Sequence, residues 1–443
     1  MPFFNESSEE LRTLSGFEKN IIALTVLGGF FACFDFTVYF FFSDAINKAF
    51  FPNASNNWLQ STGFILLLII GYVSRPLGGI IMADFGDRLG RRKVLLISLM
   101  TLAFSTLLIA LLPTYDQIGI TAVVLLLILR VIQGFGFGAE VPASWVYLAE
   151  HMPRRHIGLA LGTLVSMFVL STLLANVLSN LLSSMLTPKE LESYGWRIPF
   201  ILGALGTFFS IALRYRMRET PTWLMAKRKQ LLVAKTPLRL AFAQNRYGML
   251  MTFALSWFTS SIFIIVLLII PELALRYFDA PTNLMAFSNG MGIFFAALGA
   301  VIFGYLADRF NAGKVFFIGC ILLAASSWLF FMTLKDSSEL LLLTYAIMGF
   351  FAGIIGIIPS ICVRLFPVGV RMSGVAFCYN VAYAITGALT PYLLNYFSTK
   401  VSYTALLYTV FLCILGAILG VLITNLHGLY RLEKRRHDLV TEH

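Results

Sequence analysis

Twelve apolar runs, each close to the length of a bilayer's hydrocarbon core and parted by short charged turns, leave this chain little choice of fold. They fall at about residues 20–42, 61–83, 94–112, 120–149, 157–183, 197–215, 248–270, 284–306, 315–334, 340–363, 372–396 and 402–426. A run of about 20 apolar residues spans a membrane as an α-helix. The fourth run is too long for an upright span and must tilt or protrude. The first follows a polar tail and ends in FFF without a small-residue cleavage site, so a retained helix is expected and not a cleaved signal. Composition agrees. The chain is 58% hydrophobic and 12% charged, with a mean hydropathy of +0.82, whereas soluble domains carry about a quarter charged residues. Its solvent must be lipid.

A net charge of +11 suggests nucleic acid until the charges are placed. With both tails on one side, 25 of the 33 Lys and Arg residues fall in the tails and loops of that side, 6 fall on the other, and two lie within spans. That asymmetry predicts cytoplasmic N- and C-termini. It assigns the basic charge to topology and anionic lipid, with no nucleic-acid partner. Cys33, Cys320, Cys362, Cys378 and Cys413 lie in or at the ends of spans and form no CxxC pair. They read as small hydrophobes. The histidines form no HExxH pattern and none lies deep in a span. No metal site, no cofactor and no enzymatic centre is expected, and no P-loop points to ATP-driven pumping.

The longest polar interruption, residues 214–247, divides the runs six and six. The expected organisation is a bundle over residues 1–215, a linker over 216–247 and a second bundle over 248–443. The turn after run 2, ADFGDRLGRRK, packs six charges into eleven residues. GYLADRFNAGK repeats it after run 8, with Asp87 and Asp308, Arg88 and Arg309, and Lys93 and Lys314 each 221 residues apart. This predicts an all-α membrane protein of twelve transmembrane helices in two pseudo-symmetric six-helix bundles, with a substrate site near mid-membrane. The turn suits a latch. Asp87, Arg88, Arg91 and Arg92, with Asp308 and Arg309 in the second copy, are candidates to pair when that side closes and separate when it opens.

Ionisable groups within spans are costly and tend to be functional. Asp35, Arg75, Arg130 and Glu140 are the deep ones, all in the first half. Asp35 and Arg130 lie at comparable depth on helices running in opposite senses, and a pair between them is expected. Separating that pair would let Asp35 take a proton, which makes the two residues a candidate proton-coupling switch. Glu140 lies about 15 Å further along the helix than Arg130. It is either a second proton stop or the partner of Arg75. Gly134, Gly136 and Gly138 suggest close helix packing, and Pro76 a kink. In the second half the polar groups within spans include Asn289, Tyr379, Asn380 and Tyr383, which with Arg130 and Trp257 are the candidates for binding substrate. The patch Ser256, Trp257, Thr259, Ser260 and Ser261 offers either a substrate-lining surface or helix–helix hydroxyl contacts.

ADFGDRLGRRK resembles the major facilitator superfamily signature GxxxDRxGRRK, with Ala83 in place of the first glycine. The closer resemblance is to that family's metabolite:proton symporter branch. It rests on DFTVYFFF, RPLGG at 75–79, RVIQGFGFGAE at 130–140, YLAEHMP at 147–153, GWRIPF at 195–200, RETP at 218–221, LFPVGVRMSG at 365–374 and TGALTP at 386–391. The resemblance implies alternating access and proton-coupled uptake of small metabolites such as carboxylates or betaines. It also implies that helix 7, with Trp257, borders the cavity and that Glu150 and Glu219 pair with the basic turns. Ala32 and Arg364 stand where the branch commonly has glutamates, and GAE replaces GGE in helix 4. Arg130 is the natural attraction for a carboxylate. The expectation is an importer of an anionic or zwitterionic metabolite with protons, in an inner or plasma membrane, working as one chain. Proton-driven export of an amphipathic or siderophore-like compound is the alternative, weakened by a proline-free span 5. A membrane sensor or enzyme is a third reading without supporting residues.

Overall fold

The computed structural model of the protein describes residues 13–51, 69–232, 236–278, 281–336 and 340–441. Among them there is no β-strand, and twelve principal helices follow one another. In the first half these are α1 (Gly16–Phe41), α2 (Arg75–Leu89), α3 (Arg91–Leu111), α4 (Ile120–His151), α5 (Ile157–Met185) and α6 (Arg197–Arg214). In the second half they are α7 (Arg246–Ile264), α8 (Thr282–Arg309), α9 (Ala312–Asp336), α10 (Leu341–Ala352), α11 (Arg371–Ser398) and α12 (Thr404–Thr441). Eleven of the described helical segments are long and apolar enough to cross a membrane. The other principal helix, α2, belongs to a predicted run whose first residues, 61–68, lie outside the described residues, as does the sequon Asn53-Ala54-Ser55.

Local chemistry sets the helix ends. Ser15 and Glu18 form a capping box that starts α1, the Glu18 carboxylate accepting from the Ser15 N–H at 2.7 Å. The helix containing α2 is interrupted at Ser74 and restarts at Arg75–Pro76, where the missing proline N–H costs least. Gly90, at φ 114°, makes the turn into α3; a side chain is strained in that conformation. The 32 residues of α4 reach about 48 Å, well beyond the thickness of a hydrocarbon core. The α7 rod continues through a π-turn, Ile265–Ile269, and α10 through a 3₁₀ turn, Gly353–Ile357. The Tyr345 hydroxyl donates to the Val266 carbonyl at 2.5 Å within that π-turn.

The two sets of six meet chiefly where α5 packs on α8 and α2 on α11. Small residues allow the close approaches. A Cβ on Gly78 would overlap the Phe135 carbonyl, and one on Gly138 the Arg75 carbonyl, so α2 and α4 touch through their backbones. All five cysteines are buried and unpaired, in keeping with their reading as packing residues. The charged loops after α2, α4, α6, α8 and α10 share one end of the bundle, called here the basic face.

Candidate functional site

Between the halves lies a cavity lined from α1, α2 and the helical turn before it, α4, α5, α7, α11 and the 3₁₀ turn after α10. Its walls are mostly rings, among them Phe36, Tyr72, Phe137, Trp145, Tyr379 and Tyr383, and Arg75 is their one charged neighbour in the lining. Arg75 is 1% exposed. Its guanidinium carbon stands 4.4 Å from the Tyr383 ring centre, 4.8 Å from Phe137, 5.2 Å from Tyr379, 5.5 Å from Phe36 and 5.6 Å from Tyr72. Its Nε and Nη2 have no hydrogen-bond partner among the described residues. Ring faces return about 0.5–2 kcal/mol each to a cation, and desolvating an ion costs several kcal/mol. The cage holds the cation without supplying what a carboxylate would.

Behind Phe36 sits a second cluster. Arg130 donates to the Gln133 side-chain oxygen at 2.6 Å and lies 4.0 Å over the Tyr39 ring. Gln133 in turn donates to the Asp35 backbone carbonyl at 3.1 Å and to Thr106 at 2.9 Å. The Asp35 carboxylate turns to α6, where Thr207 donates to Oδ2 at 2.9 Å, and Oδ1 has no partner among the described residues. The expected Asp35–Arg130 ion pair is therefore corrected. The two helices bring these residues to neighbouring turns, but the rotation of α1 aims the carboxylate at α6, and an amide takes the guanidinium. Asp35 is 1% exposed, so it does not face lipid. Neither Asp35 nor Arg130 lines the cavity.

The expected partnership of Glu140 with Arg75 is also corrected. Glu140 pairs with Arg214 at 2.6 Å and accepts from Ser144 at 2.9 Å and Ser98 at 2.6 Å. Arg214 also donates to the carbonyls of Thr25 and Leu24. Arg214 closes run 6, and reading it as a linker cation hid a further buried arginine. Its end-of-helix position beside α1 lets it reach inward to Glu140, while α2 turns Arg75 into the ring cage.

In the second half, Tyr379 and Tyr383 face the cavity, with ring centres 4.4 Å apart. Asn380 does not; it donates to the Gly138 carbonyl at 2.7 Å and ties α11 to α4 across the seam. Asn289 accepts from Tyr345 at 3.1 Å inside the second-half core. Trp257 is half-buried against Phe253, 5.8 Å between ring centres, and it is Thr259 from that patch that lines the cavity. Ser260 accepts from Thr386 of α11 at 2.7 Å. Two of the five patch residues, Ser260 and Ser261, thus make hydroxyl contacts with other helices.

At the basic face the latch candidates converge. Arg91, fully buried, makes two bonds to Glu150 and pairs with Asp87 at 3.3 Å. It also donates to the Val368 carbonyl of the second half at 2.7 Å. Arg371 of α11 reaches Glu150 at 3.0 Å. Asp87 accepts from the N–H groups of Met372 and Ser373 at the start of α11, at 3.2 and 2.9 Å. Burial pushes the Asp87 carboxyl up to about 6, with the Arg91 guanidinium and those N–H groups pulling the other way. Glu219 accepts from the N–H groups of Arg91 and Arg92 at 2.9 and 3.2 Å, capping α3. In the repeat, Asp308 accepts from Gly158 and Leu159 at the start of α5, at 2.8 and 2.7 Å. Three candidates are placed differently. Arg88 bonds its neighbour Asp84 on the surface, the Arg92 side chain bonds the Tyr215 carbonyl, and Arg309 lies over Tyr305. Arg371 stands in the quoted LFPVGVRMSG stretch, yet only the fold reveals its reach to Glu150.

This architecture has known counterparts. The family model described as Sugar (and other) transporter matches residues 21–241, and that of the Major Facilitator Superfamily matches residues 249–437. A putative proline/betaine transporter of Staphylococcus aureus (strain MSSA476) is 30% identical over 414 residues, covering 90% of this chain and 85% of the relative. A citrate–proton symporter of Klebsiella pneumoniae is 29% identical over 395 residues, covering 86% of each. The solved structure of the proton:xylose symporter XylE bound to 6-bromo-6-deoxy-D-glucose superposes with a TM-score of 0.75 at 18% identity, covering 92% of this chain and 94% of that one. By sequence and by fold, this chain belongs to the major facilitator superfamily of membrane transporters.

Proposed function

We propose that this protein imports a small zwitterionic monocarboxylate, of the proline or betaine kind, together with protons across an inner or plasma membrane, with the basic face in the cytoplasm. The observation that carries this reading is Arg75, a buried cation with two unsatisfied donors, standing in a ring-walled cavity between the halves. A carboxylate at Arg75 makes charge-assisted hydrogen bonds worth about 1.5–3 kcal/mol. The ring faces suit the substrate's ammonium or methyl end, at about 0.5–2 kcal/mol. A tricarboxylate fits this lining poorly, because one guanidinium leaves further charges buried and uncompensated. The relatives named for proline/betaine and for citrate–proton symport bracket this choice.

Asp35 is the proton site in this reading. It is a buried carboxylate with one unpartnered oxygen and no cation partner among the described residues, so its charge state weighs on the local energy. The closed basic face corresponds to one limb of an alternating-access cycle. The test is uptake into proteoliposomes of labelled glycine betaine, proline and citrate, with and without an acid exterior. Gradient-driven accumulation of betaine or proline, abolished in Arg75→Gln, is expected. Accumulation of citrate alone overturns the substrate class, and accumulation indifferent to the pH gradient overturns proton coupling.

A further inference from the structure

The cavity and the Asp35 cluster have one ring in common. Phe36 follows Asp35 on α1, is 6% exposed and lines the cavity. Its ring centre is 5.5 Å from the Arg75 guanidinium and 5.5 Å from that of Arg130. Of the rings in contact with either guanidinium, it is the one the two share. It lies flat on Phe137 of α4, with centres 4.5 Å apart and planes 8° apart. It also meets Tyr72, in the helical turn before α2, edge-on at 5.2 Å. Two neighbouring rings therefore clamp a ring that lies within reach of two cations.

We propose that Phe36 is the coupling residue, a positioning side chain that reports occupancy of the cavity at Arg75 to the Arg130–Gln133–Asp35 cluster. The inference rests on the function proposed above. A substrate carboxylate arriving at Arg75 compensates that buried cation, and a proton arriving at Asp35 neutralises that buried carboxylate, so each event relieves one uncompensated charge. Co-transport requires that the two sites sense each other. Phe36 provides the contact in two ways. Its ring face is attracted to both guanidiniums, so a carboxylate that draws Arg75 away alters the hold on Arg130. Its backbone is continuous with Asp35, whose carbonyl holds the Gln133 amide that holds Arg130. Any shift of the ring is thereby felt one residue away. Coupling is a free energy shared by two sites and reciprocal between them. Removing the shared element should reduce coupling out of proportion to its effect on substrate exchange.

The experiment compares wild-type protein with Phe36→Leu, Phe36→Met and Phe36→Tyr in proteoliposomes, using glycine betaine and proline as probes. Counterflow at equal pH reads substrate exchange and reports folding. Protons taken up per substrate, followed with an internal pH dye, read coupling. Phe36→Leu and Phe36→Met, which thin the cavity wall and so slow counterflow, are expected to lower the protons taken up per substrate moved by about fivefold or more, a ratio that wall packing alone leaves unchanged. Phe36→Tyr, which retains the ring, is expected to restore the ratio. A wild-type ratio in both non-aromatic variants overturns the proposal. So does loss of counterflow in step with coupling in both, which marks Phe36 as cavity packing. Wild-type protein that exchanges the probes but takes up no protons overturns the symport reading itself and this inference with it.

Discussion

Arg91 and Glu150 form a buried two-bond pair, Nε to Oε2 at 3.2 Å and Nη2 to Oε1 at 3.3 Å, and Arg371 from the opposite half binds the same carboxylate at 3.0 Å. One acidic group from α4 thus holds two cations that belong to different halves. Glu150→Gln leaves both cations short of charge. Breaking a buried pair by removing one partner costs about 3–5 kcal/mol, and here the cost falls on the closed basic face. A cysteine placed on the basic-face side of the cavity should label faster in Glu150→Gln than in the parent, while Glu150→Asp should stay near it. Equal labelling of Glu150→Gln and parent would remove Glu150 from the latch.

Asp87 lies four residues past the predicted run 61–83, and its carboxyl is raised to about 6 in the closed face. A solvated aspartate titrates near 3.9, the value expected when that face opens. The closed form therefore holds a proton over a range in which the open form has lost it. Acid favours closure, an advantage complete below about pH 4 and gone once pH passes about 6, worth up to about 3 kcal/mol. Basic-face cysteine labelling should rise between pH 4.5 and 7, and Asp87→Asn should flatten that rise. A slope unchanged in Asp87→Asn would assign it to another group.

Glu140 and Arg214, with the serines and carbonyls around them, satisfy one another. This is the pattern of a strut. Glu140→Gln or Arg214→Met alone should destabilise by about 3–5 kcal/mol, and an apolar pair at both positions should recover most of it. Thermal unfolding in detergent gives the comparison. Proton-driven uptake in the repaired pair should match wild type; its loss would return Glu140 to the proton path.

Asp35→Asn keeps the size and the hydrogen bond from Thr207 but cannot gain or lose the charge. Counterflow should persist and gradient-driven accumulation should vanish. Accumulation that survives undiminished moves the proton site elsewhere.

Helix number and register were open to reading because run length and hydropathy are local properties. A structural part for Asp87 was open too, since a carboxylate and a glycine in a basic turn exceed what topology alone requires, and Asp87 does bond the start of α11. Pairings inside the bundle were not. Depth along a helix follows from residue spacing, and it correctly brought Asp35 and Arg130 to neighbouring turns. Rotation about the helix axis does not follow from spacing, and rotation decides that Asp35 meets Thr207 while Gln133 meets Arg130. Arg214 was hidden for a related reason. A cation at the end of an apolar run reads as a loop residue until the neighbouring helix shows it reaching inward.

The two aspartates of the repeated turn grip in opposite directions: Asp87 holds the start of α11, and Asp308 holds the start of α5. Each half thus throws a bolt into the other. Under the alternating-access reading proposed above, opening the basic face must release both aspartates, and Asp87→Asn alone is expected to leave the Asp308 contact shut. On that reading a doubly bolted carrier leaks less while it waits.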